Sequence, residues 1–178
     1  AIGKRRELLN DLHSEDTDCY RLFHGATEGC PGLTIDRYGS CILLQTWRAP
    51  IERSQLAELS TVVKKSLGME LPLVWNHRHK RGSVDYVQNV DLPEKMTARE
   101  LGIVYDARPR HKGIDPLLFL DLRAGRRRIR AEASNRSVLN LFSYTCGIGL
   151  AASIGGASEV LNVDFSANAL EVGRNNAS

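Results

Sequence analysis

The sequence contains no long apolar run and few cysteines, and each absence excludes a class of protein. No stretch approaches the length that crosses a bilayer, and the first residues include Lys4, Arg5 and Arg6 in place of the apolar core of a secretory signal. The four cysteines form no C-x-x-C pair and have no accompanying histidine spacing, so neither a disulfide framework nor a zinc site is expected. These features predict a reduced cytoplasmic protein with no membrane partner and no bound metal.

The net charge of +3 says little about partners, but the basic residues are unevenly distributed. The stretch from Arg108 to Arg130 has eight lysines and arginines against two acids, and a second basic cluster follows Asn76. Because such patches neutralise phosphates and release counterions, they favour RNA binding over the plainer interpretation of a solvated face. The predicted RNA-binding residues are Arg78, Lys80, Arg81, Arg123, Arg126, Arg127 and Arg128.

Residues 1–115 mix hairpin patterns with helical ones, which is typical of an α+β module. Apolar spacing predicts two amphipathic helices, at residues 1–13 and 52–67. Strands are predicted between and after them, with a turn at residues 36–40 and a basic loop at residues 76–82. The expected strands cover residues 19–23, 33–35, 41–47, 71–75, 84–90 and 100–106.

From residue 116 the pattern changes to an alternation of helices and strands. Asp121 is expected to cap a helix that runs to about residue 134. The apolar run Val138–Phe142 then predicts a parallel strand buried by helices on both faces. A glycine turn, a helix, a second strand ending at Asp164 and a last helix follow. Residues 116–178 therefore predict the first part of an α/β Rossmann-like domain with an incomplete parallel sheet.

The strand, glycine turn, helix, strand and acid together form half of a nucleotide-binding unit. Glycines at 147 and 149 allow a ligand to approach the backbone, and the carboxylate of Asp164 can accept hydrogen bonds from ribose hydroxyls. A cofactor containing adenosine is the natural interpretation. Spacing alone also permits a nicotinamide or flavin site, or a tight turn without a ligand.

Three stretches resemble a known family. The segment from Val138 to Ala152, followed by a strand that ends in V-D-F-S, resembles motif I and the next acidic motif of class I S-adenosylmethionine methyltransferases. More narrowly, it is similar to the bacterial enzymes that methylate large-subunit ribosomal RNA, including those that make 5-methylcytosine. Residues 21–39 resemble the start of that family's central domain, and residues 118–128 resemble its F-L-D-x-R entry to the catalytic domain. Leu122 stands where the family usually has glutamine, and Cys146 where it usually has glycine.

The resemblance implies S-adenosyl-L-methionine as cofactor and ribosomal RNA as partner. It also implies that the cysteine nucleophile needed for 5-methylcytosine lies after Ser178, so no catalytic residue is predicted here. Cys146, within the turn, is interpreted as a small tolerated residue. The predicted cofactor-binding residues are Ser143, Tyr144, Thr145, Gly147, Gly149, Asp164 and Ser166.

Two strands do not make an independently stable parallel sheet, so the exposed strand edge predicts either a fragment of a longer protein or cover by another subunit, with a homodimer possible. We favour the fragment, and we expect it to lack methyl-transfer activity. Two alternatives stay open at this point: a non-catalytic RNA-binding or assembly protein, and a nicotinamide-dependent oxidoreductase.

Overall fold

The computed structural model describes residues 2–80, 83–87, 92, 95–109 and 116–178. A five-stranded sheet forms the N-terminal part, with strand order β1-β2-β3-β4-β5. Its strands pair antiparallel except for β3 and β4, which are parallel because a helix crosses between them. The strands are β1 (Cys19–His24), β2 (Leu33–Tyr38), β3 (Cys41–Thr46), β4 (Leu73–Lys80) and β5 (Ser83–Val87).

The helices of this part were predicted correctly. A 3-10 turn at Ile2–Arg5 leads into α1 (Arg6–Ser14), and the crossover helix is α2 (Arg53–Leu67). Glu52 precedes α2 as its N-cap and forms a capping box with Gln55. Each helix buries one apolar face against the sheet.

Two predicted loops are strands in the structure. The turn expected at residues 36–40 is only Gly39 and Ser40, because Tyr38 already pairs with Cys41 across the hairpin. The prediction of a basic loop at residues 76–82 is wrong for residues 76–80, because β4 continues to Lys80. Asn76 and His77 pair with both β3 and β5, and Lys80 pairs with Ser83 of β5. The rest of the expected loop, residues 81 and 82, lies outside the described residues.

The strand predicted at residues 100–106 is a hairpin. Its strands are β6 (Thr97–Glu100) and β7 (Ile103–Asp106), paired antiparallel. Leu101 and Gly102 both have positive φ, at 55° and 77°, which is the conformation of a type I′ turn. The sequence pattern concealed this turn because leucine rarely adopts positive φ.

The C-terminal part has the predicted order of elements. A 3-10 turn at Leu120–Leu122 enters α3, and the parallel strands β8 and β9 pair in register from Ser137 with Glu159 to Leu141 with Val163. Asp121 lies inside the 3-10 turn and makes no capping bond to α3, so that prediction is wrong. The elements are α3 (Arg123–Glu132), β8 (Ser137–Leu141), α4 (Gly147–Ile154), β9 (Glu159–Val163) and α5 (Ala167–Asn176).

Two apolar clusters make up the core. One lies between the five-stranded sheet and the helices α1 and α2. The other joins both parts of the chain, because Tyr38 and Tyr105 pack in it together with Leu118 and Leu150. The boundary predicted between residues 115 and 116 falls at the end of the undescribed stretch 110–115, and it stays a prediction.

Helices were predicted to bury both faces of β8. In the described residues, however, one face of the β8–β9 pair is exposed to solvent. The exposed fractions reach 61% for Leu139 and 58% for Leu161. Leu141, Phe142, Val163 and Phe165 are also exposed. We refer to these six side chains as the exposed apolar face. Within the described ranges, no helix has both the length and the apolar character needed to cross a membrane.

Candidate cofactor site

The parallel register of β8 and β9 brings two loops to one edge of the sheet. Leu141 pairs with Val163 at the end of both strands, so the turn after β8 and the loop after β9 leave the sheet side by side. In open α/β sheets, ligands bind outside the carboxyl ends of the strands. This edge is therefore where the sequence-predicted cofactor residues meet.

Asp164 connects the two loops. Its Oδ2 accepts a hydrogen bond from the backbone N–H of Tyr144 at 2.8 Å, and its Oδ1 accepts one from the N–H of Ser166, also at 2.8 Å. The residue is half-buried, and each carboxylate oxygen has a second lone pair. Asp164 can thus hold the turn in shape while it accepts bonds from ribose hydroxyls. Asp164 does not cap the following helix, because the N-cap of α5 is Ser166, whose Oγ accepts from the N–H of Ala169 at 3.2 Å.

The turn after β8 has an unusual backbone. Phe142, Tyr144 and Cys146 have positive φ values of 54°, 49° and 62°, a conformation that costs a residue other than glycine about 1 kcal/mol or more. The strain at Cys146 explains why glycine suits this position. Burial raises the pKa of the Cys146 thiol, so the thiol is protonated at neutral pH and is a poor nucleophile. This agrees with the interpretation of Cys146 as a tolerated small residue.

Two polar side chains predicted to bind the cofactor are already engaged in the protein. Thr145 is buried, and its hydroxyl donates to the carbonyl of Leu117 at 2.7 Å. Ser143 is also buried, and its hydroxyl oxygen accepts from the thiol of Cys146 at 3.9 Å, while its backbone carbonyl accepts from the N–H of Cys146 at 2.8 Å. These residues hold the turn, and backbone donors remain the natural contacts for a ligand at the start of α4.

The two glycines of the turn differ in what surrounds them. A Cβ on Gly149 would lie 2.1 Å from Oδ1 of Asn162, so this glycine allows α4 to pack closely on β9. A Cβ on Gly147 would meet its nearest neighbour, the Cδ of Arg126, at an ordinary 3.6 Å. The structure therefore explains Gly149 by helix–strand packing, and the space around Gly147 would admit a side chain.

Sequence reasoning did not select two aromatic residues beside the turn. The ring of Phe119 lies 5.4 Å from the ring of Tyr144, centroid to centroid, at an angle of 52°. Phe165 directly follows Asp164 and is 96% exposed. The sequence could have indicated both residues, because Phe119 lies two residues before Asp121 in the motif F-L-D and Phe165 directly follows Asp164 in the motif V-D-F.

Arg126 and Arg123, predicted to bind RNA, form a buried ion cluster with Glu100. Arg126 donates its Nε to Oε1 of Glu100, and its Nη2 donates to Oε2 at 2.9 Å. Arg123 donates its Nε to Oε2 of the same carboxylate at 2.9 Å. Both Arg126 and Glu100 are nearly fully buried. Burial lowers the pKa of Arg126, but the bonds to Glu100 outweigh it and the net shift is upward. This geometry argues against a direct RNA contact for Arg126.

The other predicted RNA-binding residues differ in exposure. Arg127 and Arg128 are exposed, in ion pairs with Glu15 at 2.6 Å and Glu132 at 2.9 Å. Arg78 is half-buried, and its Nε donates to Oε1 of Gln45 at 2.5 Å. Lys80 ends β4, and Arg81 lies outside the described residues.

The site and fold define a class: an α/β nucleotide-binding protein whose glycine turn and acid lie at the carboxyl edge of parallel strands. Residues 20–178 match the family described as S-adenosylmethionine-dependent methyltransferase, and the chain belongs to that family. The match confirms the predicted fold class and the predicted cofactor, S-adenosylmethionine.

Similar proteins support the same conclusion. A ribosomal RNA large subunit methyltransferase of Deinococcus radiodurans is 34% identical over 99% of this chain and 45% of its own length. Ribosomal RNA large subunit methyltransferase I of Shigella flexneri serotype 5b is 33% identical over 89% of this chain and 41% of its own length. A solved putative methyltransferase of Streptococcus mutans superposes with a TM-score of 0.81 at 27% identity, over 97% of this chain and 44% of its own. A further solved structure, of a putative methyltransferase complexed with SAH, gives the same TM-score and identity. The chain thus spans less than half the length of these relatives.

Proposed function

We propose that this chain is the RNA-contacting and cofactor-binding portion of a methyltransferase that acts on ribosomal RNA. The proposed product is 5-methylcytosine in the large-subunit RNA. The observation that carries the proposal is the pair of hydrogen bonds that Asp164 accepts, one from Tyr144 in the turn after β8 and one from Ser166 in the loop after β9. They hold an acid beside the backbone donors at the start of α4, at the edge where a nucleoside binds. The names of the relatives favour ribosomal RNA as substrate.

In the proposed complex, Asp164 accepts hydrogen bonds from the ribose hydroxyls of S-adenosylmethionine. The turn from Ser143 to Gly147 lies along the methionine and ribose portion, and the exposed ring of Phe165 covers the adenine. Ser166 stabilises the loop after β9 by capping α5, and Gly149 allows α4, which follows the turn after β8, to pack closely on β9. The cofactor supplies the methyl group, and no residue of this chain is proposed as the nucleophile.

The proposal also includes partners and location. Arg127 and Arg128 are the best placed of the predicted residues to contact RNA, because exposed ion pairs exchange readily for phosphate. We propose a cytoplasmic protein, because the proposed substrate is ribosomal RNA. The homodimer stays a prediction, and sedimentation velocity over a range of concentrations tests it.

Calorimetric titration of the chain with S-adenosylmethionine and with NAD tests the cofactor. We expect S-adenosylmethionine to bind and NAD not to bind.

The variant Phe165→Ala tests the proposed adenine contact, because the exposed side chain of Phe165 can be removed without disturbing the core. It should weaken binding about ten-fold, as loss of one stacking contact predicts. Leu161→Ala, which removes exposed apolar area from β9 and away from the loop, should leave the affinity unchanged. Preferential binding of NAD would overturn the proposal.

A further inference from the structure

A second concave site lies next to the cofactor turn. It is a cleft of about 560 Å³ between α1, the face of the β1–β3 hairpins and the segment that enters α3. A volume of this order is typical of pockets that hold small molecules. The residues that define its chemistry are Arg21, Trp47, Phe119 and Asp121.

The wall nearest the cofactor site is firmly held. The hydroxyl of Tyr38 donates to the carbonyl of Leu118 at 3.0 Å, and Arg126 donates to the carbonyl of Phe119 at 2.8 Å. The hydroxyl of Thr145 fixes the adjoining carbonyl of Leu117. Phe119 thus has a fixed backbone between the cleft and the ring of Tyr144 in the cofactor turn. A molecule in the cleft would therefore lie beside the turn that is proposed to hold the methyl donor.

Two aromatic side chains at the cleft are available for stacking. Trp47 is 39% exposed and Phe119 is 36% exposed, although large apolar rings are usually covered. Every nucleic-acid base has a π-face, and proteins bind unpaired bases on such rings. The aromatic lining therefore suits a base that has left its stack.

The two acids of the cleft are in different states. Asp36 is buried, and Arg21 donates to both of its oxygens at 2.7 and 3.0 Å. Asp121 is exposed, and its carboxylate has no hydrogen-bond or ion-pair partner within the described part of the chain. A carboxylate accepts hydrogen bonds but donates none, so it selects an amino group over a carbonyl oxygen. Cytosine presents an amino group at the position where uracil presents an oxygen.

We propose that this cleft holds the target cytosine, with Asp121 accepting a hydrogen bond from its exocyclic amine and the rings of Trp47 and Phe119 against its faces. The Nη1 of Arg21, which Asp36 leaves free, donates to the neighbouring phosphate. The proposal deepens the proposed function and rests on it for the adjacent methyl donor. Asp121 is a base-recognition residue here, and no chemical step is attributed to it.

Fluorescence titration tests the cleft directly. The chain has two tryptophans, of which Trp75 is buried, so quenching by a stacked base reports on Trp47. The ligands are a short oligouridine with one central cytosine and the all-uridine oligomer of the same length. We expect the cytosine-containing RNA to bind about ten-fold more tightly, as a hydrogen bond to a charged group predicts. Asp121→Asn should abolish this preference, because the amide can also donate to the oxygen of uracil.

The matched control is Asp11→Asn, which removes the same charge from an exposed aspartate of α1 outside the cleft. It should retain the preference for cytosine. Equal affinity of the parent chain for both RNAs, absence of quenching, or an Asp121→Asn variant that behaves like the parent would each overturn the proposal. Calorimetry with S-adenosylmethionine on the same samples keeps the two hypotheses separate. Asp121→Asn should bind the cofactor normally, whereas a parent chain that fails to bind it would refute the proposed function and leave the base preference measurable.

Discussion

Glu100 and Arg126 form an ion pair that is almost completely excluded from solvent. The exposed fraction is 1% for the Glu100 side chain and 3% for that of Arg126. Glu100 ends β6, and Arg126 lies one turn into α3, so the pair joins the β6–β7 hairpin to the helix that precedes the cofactor domain. Arg123 shares the same carboxylate. Arg123 and Arg126, which the sequence predicted to bind RNA, thus attach α3 to the hairpin.

Neutralising Glu100 should be costly. In Glu100→Gln two arginines lose their counter-ion in a buried site, and removal of one partner of such a pair typically costs about 3–5 kcal/mol. Urea unfolding followed by circular dichroism measures the change. The matched variant is Glu132→Gln, which breaks the exposed pair with Arg128 and should cost less than about 0.5 kcal/mol. Equal destabilisation by the two variants would contradict a special role for the buried cluster.

The buried cluster shows why charge counting along the sequence misjudged this helix. Glu100 lies 23 residues before Arg123 and 26 before Arg126, so a count from Arg108 to Arg130 omits their counter-ion. Glu15, the partner of Arg127, lies 112 residues away. Such pairings follow from tertiary packing, and a local pattern contains no information about them.

The cofactor turn was predictable because its determinants are local. A strand, two glycines and a following acid lie within residues 138–164, and the parallel pairing needs only the connecting helix. The hairpin turn at Leu101 escaped prediction because leucine rarely adopts the positive φ that the turn requires. The incomplete sheet predicted an uncovered strand edge, but not the exposed apolar face, since Leu139 and Leu161 have the sequence pattern of buried strands.

Alanine substitutions should separate the two glycines of the turn. Gly149→Ala places a Cβ against the side chain of Asn162, which would have to shift and give up its bond from Asn140 at 2.8 Å. We expect a loss of about 1–2 kcal/mol in the free energy of unfolding. Gly147→Ala meets only ordinary contacts and should be neutral or stabilise by about 0.5 kcal/mol. Denaturant unfolding distinguishes them, and a larger loss for Gly147→Ala would refute the packing argument.

Only one of the four cysteines should react in the folded protein. Cys30 is exposed, whereas Cys19, Cys41 and Cys146 are buried. Burial raises the pKa of the Cys19 thiol to about 12, so at pH 8 it stays protonated, and only the thiolate attacks a disulfide reagent. Titration with a chromogenic disulfide at pH 8 should show one fast thiol, and the remaining three should react after unfolding in guanidinium chloride.

Cys30→Ser provides the control for this assignment. The variant should lose the fast reaction and keep the slow thiols, because its side chain makes no hydrogen bond within the described residues. A fast thiol that survives the substitution would mean that the turn around Cys146 or the strand edge at Cys41 opens readily.

RNA binding should depend on Arg127 and Arg128 through charge alone. Each contact with a single-stranded phosphate adds about 0.7 to the slope of log affinity against log salt. The double variant Arg127→Gln, Arg128→Gln should therefore reduce that slope by about 1.4 in filter binding to single-stranded RNA. Lys64→Gln, Lys65→Gln on α2 removes the same charge from another helix and should leave the slope unchanged. Equal reductions from both double variants would show a non-specific effect of net charge, and α3 would then have no particular role in holding RNA.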